Sequence, residues 1–585
     1  MDIGELLSFK PNVNAKRELA GDANEVPTKV RKQTLQISSE INRSENRHIH
    51  PNTTNAGKVH LVKEQATSQN EFNDETEEER SLRVLEEWEK RVLSESKEAV
   101  EIEEFDDQKV KKLILTFEKK VFKNQEMRIK FPDNPERFME SELDLNDIII
   151  EMKTLATMPE QYHYLIELRC VSSMLSLINH ANADISTALI ELLQELTDVD
   201  TLTESEEGAE VLMDALIDGQ IASLMVQNFE RLDEAVKEEA TGVHNSLAVI
   251  ENILEIKPES GPVIGQQGLL GWLLKRLKMK QPLFDANKLY SAEILSILLQ
   301  GSDEVRQRMG EMDGIDVILQ QLASFKRHDP SGLEEIEFME NMFNCLCSSL
   351  LYPGNRDKFL NGEGLQLMNL MLREKKMSRN SALKVLDHAM TGSDGANNCA
   401  KFVDILGLRT LFPLFMKPPK KNKKIGASVK DHEEHIVSII ASMLINLKGS
   451  HKQRLVAKFS ENDYAKVDRL MELHFKYYER VQKAENKIDR ERSKLIDDDD
   501  KEEYFYLKRL DAGLFSLQQT DYIIVDICAS GSSQIKQRAL HILNLRGGSV
   551  KSIRSTLREY AGSIGEDNSS EEALAQQIIA LADKF

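Results

Sequence analysis

The chain predicts an all-α solenoid, a stack of short helices with a helical cap at each end. Two observations carry this reading. A clause made of a small residue, an aliphatic, two variable positions and an aliphatic pair recurs six times. The copies start at Cys170, Gly219, Gly268, Gly314, Gly364 and Gly407, and the second needs a one-residue shift. Steps between the leading residues are 49, 49, 46, 50 and 43. Inside each period the apolar residues keep helical spacing.

A period in the forties with helices inside it is armadillo/HEAT-like. Such a core grows lengthwise, because each repeat packs mainly on its neighbours. That is how 585 residues can form one array. A hydrophobic content of 41% suffices for this core, and 6% aromatics with two Trp suit aliphatic helix packing better than a β-sandwich. Solenoids hold other molecules on an extended surface and rarely do chemistry.

Residues 1–75 read as a disordered tail, rich in Asn, Ser, Thr and Glu. Lys16 and Arg17, then Lys29, Arg31 and Lys32, are spaced as a bipartite nuclear localisation signal, which an import receptor reads as extended peptide. The opening Met1-Asp-Ile-Gly-Glu-Leu-Leu is acidic with a short apolar stretch, unlike a secretory signal. Residues 76–165 are expected to form the N-terminal helical cap. Leu82, Leu85, Trp88 and Val92 share one face, as do Val110, Leu113, Ile114 and Phe117. Phe131-Pro-Asp-Asn-Pro breaks the pattern, since Pro removes a donor and disfavours helix before itself.

Residues 166–450 hold about six repeats. The last helix of a repeat is legible at Ile185–Leu196, Val243–Leu254 and Ala382–Met390. In armadillo arrays this third helix lines the concave face, and an Asn near its end bonds a bound peptide's backbone. That column here reads Glu195, Asn252, Ile297, Cys345, His388 and Asn446. Glu195, Asn252, His388 and Asn446 are the candidate peptide-binding residues. Glu195 would receive a basic side chain, while Asn252 and Asn446 would bond main chain. Import receptors pair the Asn with a Trp one turn earlier, and neither Trp88 nor Trp272 stands there. The groove is therefore expected to be selective.

Lys417, Lys420, Lys421, Lys423 and Lys424 with two Pro make a loop. It reads as a second import signal, a contact to RNA or an acidic tail, or a solvated insertion. Residues 451–585 are expected to cap the array, with Ser460 capping a helix through Val467, Phe475 and Ile488. Further helices are expected over Leu507–Cys528, Ile535–Leu545, Ile553–Tyr560 and Ala573–Phe585. The same region offers a possible homodimer contact.

The formal charge is −22, and residues 1–70 hold ten Lys/Arg against eight Asp/Glu, so the body is more acidic still. That argues against direct, sequence-specific binding to nucleic acid, which needs basic surface to displace counterions. It suits a basic protein partner. Five Cys without a framework spacing read as reduced thiols. No apolar run reaches eighteen residues, so no membrane span is expected. No phosphate loop or nucleophile elbow is present, and no cofactor is called for. His432-Glu-Glu-His435 places its His three apart, where a zinc helix needs four, and reads as a solvated helix start. Cys345 and Cys347 diverge on a helix and read as core or groove wall. The chain reads as a non-enzyme with no metal site.

Longer runs carry a closer resemblance. Met1-Asp-Ile-Gly-Glu-Leu-Leu-Ser, Ile129-Lys-Phe-Pro-Asp-Asn-Pro-Glu, Phe284-Asp-Ala-Asn-Lys-Leu-Tyr, Gly362-Glu-Gly-Leu-Gln-Leu-Met-Asn, Lys466-Val-Asp-Arg-Leu-Met-Glu-Leu-His and Arg509-Leu-Asp-Ala-Gly-Leu-Phe resemble the family of β-catenin-like protein 1. The likeness spans nearly the whole chain and is weakest at 9–105 and around 485–503. It implies a nuclear armadillo-repeat scaffold of pre-mRNA splicing, joined to the nineteen complex and binding basic localisation-signal-like segments of splicing factors, its Myb-domain member included. The alternative reading is a nuclear transport receptor for basic cargo.

Overall fold

The computed structural model describes residues 104–279, 285–418, 429–492, 501–564 and 569–585. Every regular element among them is helical. Eight helices form a continuous ladder, each packed on the next: α1 (Pro135–Met152), α2 (Ala183–Leu196), α3 (Lys237–Ile256), α4 (Ala286–Gly301), α5 (Leu333–Ser349), α6 (Arg379–Met390), α7 (Val429–Asn446) and α8 (Leu514–Ser530). The buried Leu189, Leu193, Leu247, Ile250, Leu295 and Leu299 lie in the core between consecutive rungs. Caps fix where rungs begin. Asn182 accepts from the Asp184 N–H at 3.0 Å, and Asp285 from the Lys288 N–H at 2.8 Å. Each satisfies a donor that a helix start leaves open.

Two shorter helices precede α4, α5 and α6 in each repeat, and their junction explains the recurring clause. Arg169, Asp313, Glu363 and Leu406 take left-handed backbone with φ near 60°. The small residue follows at once. In the second copy the left-handed residue is Gln220, one place after Gly219, which accounts for the shift. At Gly314, Gly364 and Gly407 the requirement is space rather than a positive φ. A Cβ would fall 2.8 Å from the Met309 side chain, 2.2 Å from Phe359 and 2.4 Å from Phe402, each five residues back. The Gly407 N–H donates to the Phe402 carbonyl at 2.8 Å, closing a Schellman-type turn.

The ends differ in detail from expectation. The break at Phe131 stands between a helix over Glu104–Lys130 and α1. Ser460 does not cap the long helix. It ends a 3-10 turn, the left-handed Asn462, Asp463 and Tyr464 follow, and the helix runs Ala465–Arg492. Leu507–Cys528 is not one helix either. Gly513 divides Lys501–Ala512 from α8 at φ 105°, where a Cβ would lie 2.6 Å from the Tyr477 ring. Helices Ser533–Leu545 and Val550–Ser563 pack on α8 beside Ala465–Arg492, and Ser569–Lys584 closes the end.

His432–His435 is not a solvated helix start. His432 is buried, and burial pushes its pKa down to about 4. Glu433 is buried too, and accepts from Arg469 at 2.8 Å, from the Tyr477 hydroxyl at 2.9 Å and from Lys476. His435 meets Asp387 of α6 at 2.8 Å. The sequence pattern was polar because an internal ion-pair network fills it.

Candidate peptide-binding face

The side of each rung not covered by its neighbours forms an open face. On α4 this face carries Tyr290, Glu293 and Ile297, each half-buried and spaced three and four apart. On α3 it carries His244, Ala248 and Glu251, and on α5 Glu337, Asn341 and Asn344. Glu293 therefore stands between a carboxylate on the rung before, Glu251, and one on the rung after, Glu337. Burial, then these two negative neighbours, raise its pKa to about 7. Tyr290 donates its hydroxyl to Glu251, and its ring lies 4.9 Å from that of His244. Farther on, the Ser381 hydroxyl donates to Glu340, whose pKa burial also raises.

A like-charge row held partly out of water is costly unless a cation neutralises it. Three carboxylates on three successive rungs thus concentrate negative charge at one place on this face. A protonated Glu293 must lose its proton to take part in a salt bridge.

The column picked from sequence lands unevenly on this face. Glu195 is on it, but with Glu191 it already holds Lys153, at 3.0 and 3.1 Å. The Asn252 amide donates to the Thr197 hydroxyl of the preceding repeat at 3.3 Å. The Asn446 amide donates to the carbonyls of Gly392 at 2.8 Å and Met390 at 3.2 Å, closing the end of α6. Both asparagines thus use an N–H within the chain. His388 is half-buried, and burial brings its pKa down to about 4, so it is neutral at pH 7. Cys345 faces inward, its thiol 3.7 Å from the Ala292 carbonyl, and Cys347 is buried as well, with both pKa values pushed up by burial. At α5 the open positions are one residue off the column. Lys417 is exposed, whereas Lys420, Lys421, Lys423, Lys424 and the five basic residues of the tail lie outside the described residues.

Glu293 was missed by the column, yet it stands one turn before Ile297, where import receptors carry Trp. Reading that earlier turn gives Glu191, Ala248, Glu293, Asn341, Lys384 and Ser442. The signal was there as residue type. The second and third carboxylates reach the same place from different registers.

Among the described residues no group of three or more His, Cys, Asp or Glu could hold a metal ion. No helix there is long and apolar enough to cross a membrane.

The ladder and its open face define an armadillo-type repeat protein of the adaptor kind. The sequence model of the family described as "Catenin-beta-like, Arm-motif containing nuclear" matches residues 86–558. Beta-catenin-like protein 1 of Homo sapiens and of Mus musculus are each 61% identical over 487 residues, covering 82% of this chain and 86% of theirs. The Schizosaccharomyces pombe homolog is 34% identical over 433 residues, covering 73% of this chain and 74% of its own. The chain belongs to this β-catenin-like family of nuclear armadillo-motif proteins.

Proposed function

We propose that the protein is a non-catalytic nuclear adaptor of the pre-mRNA splicing machinery. It would hold basic, localisation-signal-like segments of splicing factors on its open face. The observation that carries the peptide chemistry is the row Glu251, Glu293, Glu337 on consecutive rungs, with Glu293 raised to about 7 by burial and its acidic neighbours. A Lys or Arg placed there removes the repulsion and gains charge-assisted hydrogen bonds. The nineteen complex and its Myb-domain member are the partners implied by the sequence resemblance, and the description of the family as nuclear supports the compartment. The basic clusters at Lys16–Arg17 and Lys29–Lys32 would supply entry through an import receptor.

The experiment is affinity purification of the chain from nuclease-treated nuclear extract, read by mass spectrometry, beside a chain with Glu251, Glu293 and Glu337 all changed to Gln. The reading expects nineteen-complex proteins with the parent and their depletion with the variant. Import factors and mixed basic cargo in place of splicing proteins would favour the transport receptor instead.

A further inference from the structure

The acidic chain carries a basic edge on its C-terminal cap. The helices Ser533–Leu545 and Val550–Ser563, with their turn, hold six Lys/Arg and one Asp/Glu in a chain of net charge −22. Val550–Ser563 buries Ile553, Leu557 and Ala561. Helical spacing puts Lys551, Arg554, Ser555 and Arg558 on the opposite side. Lys551, Ser555 and Arg558 are exposed, and Arg554 is half-buried. Arg546 stands exposed at the turn before them. The adjoining Gly547 faces open space, since a Cβ there would meet nothing within 4 Å.

The carboxylates on the elements packed here are largely committed within the chain. Glu559, the one acid of the two helices, accepts from Arg509 at 2.5 and 2.9 Å. On α8, Asp521 is buried against His474 at 2.5 Å and Asp526 against Lys452 at 2.9 Å. Asp468 holds Arg538 through two hydrogen bonds, at 2.8 and 2.9 Å. Asp583 meets Arg558 at 2.8 Å, but both side chains are more than half exposed, and such a pair contributes little and exchanges readily. Glu566, Asp567, Glu571 and Glu572 follow Ser563, at the end of the helix away from Lys551. Among the described residues no carboxylate pairs with Arg546, Lys551 or Arg554. The start of the helix adds its own partial positive charge beside Lys551.

Lys551, Arg554 and Arg558 step along the helix by about one turn, roughly 5.4 Å, with the Ser555 hydroxyl between them. Phosphate oxygens take hydrogen bonds from Arg, Lys, Ser and helix N-termini alike, so a row of phosphates matches this stripe. The stripe has no aromatic ring on which a base could stack, so it would read backbone and not sequence. Leu545 is exposed beside the turn, yet one apolar side chain falls short of the apolar centre that a protein partner requires.

We propose that this edge of the C-terminal cap binds the phosphodiester backbone of a nucleic-acid strand, independently of sequence, through Arg546, Lys551, Arg554 and Arg558. The contact is separate from the carboxylate row and stands whether or not that row takes a basic segment.

The test is fluorescence anisotropy of fluorescein-labelled oligo-uridylate titrated with the full chain. Binding should be saturable and should weaken about 20- to 50-fold between about 50 and 200 mM salt, as expected when three or four phosphates of a single strand are neutralised. Oligo-adenylate and oligo-thymidylate should bind within about threefold of it, and oligoglutamate should not displace it. Lys551→Gln, Arg554→Gln and Arg558→Gln together should weaken binding at least about tenfold with urea unfolding unaltered. Lys551→Gln alone, at an exposed position, should flatten the log–log salt slope by about 0.7. Lys420, Lys421 and Lys424, each changed to Gln, should leave binding as in the parent. No saturable binding at low salt, a slope untouched by Lys551→Gln, or loss of binding in the loop variant alone would overturn the proposal. Displacement by oligoglutamate would make the edge a site for an acidic protein segment and overturn it too, as would a strong preference for one base.

Discussion

Gly364 lies directly on the ring of Phe359, so that a Cβ at position 364 would fall 2.2 Å from Cε2 of that ring. Glu363, immediately before Gly364, takes the left-handed turn at φ 59°. Glycine is needed at 364 for the close approach. Gly364→Ala should therefore lower stability by about 1–3 kcal/mol, the usual range for overpacking. Urea unfolding of parent, Gly364→Ala, Phe359→Leu and the double variant checks this. The double variant should be more stable than the two single losses added together, because the changes share one contact.

Glu293 gives a pH signature. Its folded pKa of about 7 stands above the ordinary carboxyl value of 4.5, so the folded chain holds the proton between those values and the unfolded chain does not. Its contribution to stability is thus fully present below about 4.5 and is lost as pH rises through 7. Glu293→Gln should stabilise the chain at pH 8 and change little at pH 4. Thermal melts across that range show whether the difference grows with pH, as expected.

The Glu433 network has the opposite sign. Burial pushes this carboxyl up, but hydrogen bonds from Lys476 and Tyr477 outweigh it and leave the pKa below its usual value. Its stabilising effect is present above the unfolded carboxylate value and is lost as pH falls through the folded one. Glu433→Ala leaves Arg469 and Lys476 without this partner and should cost about 3–5 kcal/mol at pH 7. Guanidinium unfolding of both chains should show the gap narrowing in acid.

Asn446 closes the end of the preceding rung through Gly392 and Met390. Asn446→Ala should cost about 1 kcal/mol of stability from the lost hydrogen bonds. A drop in affinity for a basic peptide with no change in unfolding would instead place its main role at the ligand.

The array was legible because the clause marks a backbone event that recurs. A left-handed residue, then a small one against the preceding helix, leaves a trace in residue type at Gly314, Gly364 and Gly407. The candidate site was legible only in part. The column fell on the open face at Glu195, Asn252, His388 and Asn446, but not at Cys345, which is buried with its thiol 3.7 Å from the Ala292 carbonyl. Glu293 acquires its character from Glu251 and Glu337, which stand 42 residues before it and 44 after it. No local pattern encodes that neighbourhood. The same holds for His432–His435, whose polar appearance concealed partners in the Ala465–Arg492 helix and on α6.

The most direct measurement is calorimetric titration of a short Lys/Arg-rich peptide into the chain at pH 6 and pH 8, beside the chain with Glu251, Glu293 and Glu337 changed to Gln. The account predicts tighter binding to the parent at pH 8, with proton release at pH 6, and a loss of about 1.5–3 kcal/mol per effective carboxylate in the variant. Equal affinity for parent and variant at both pH values would contradict it.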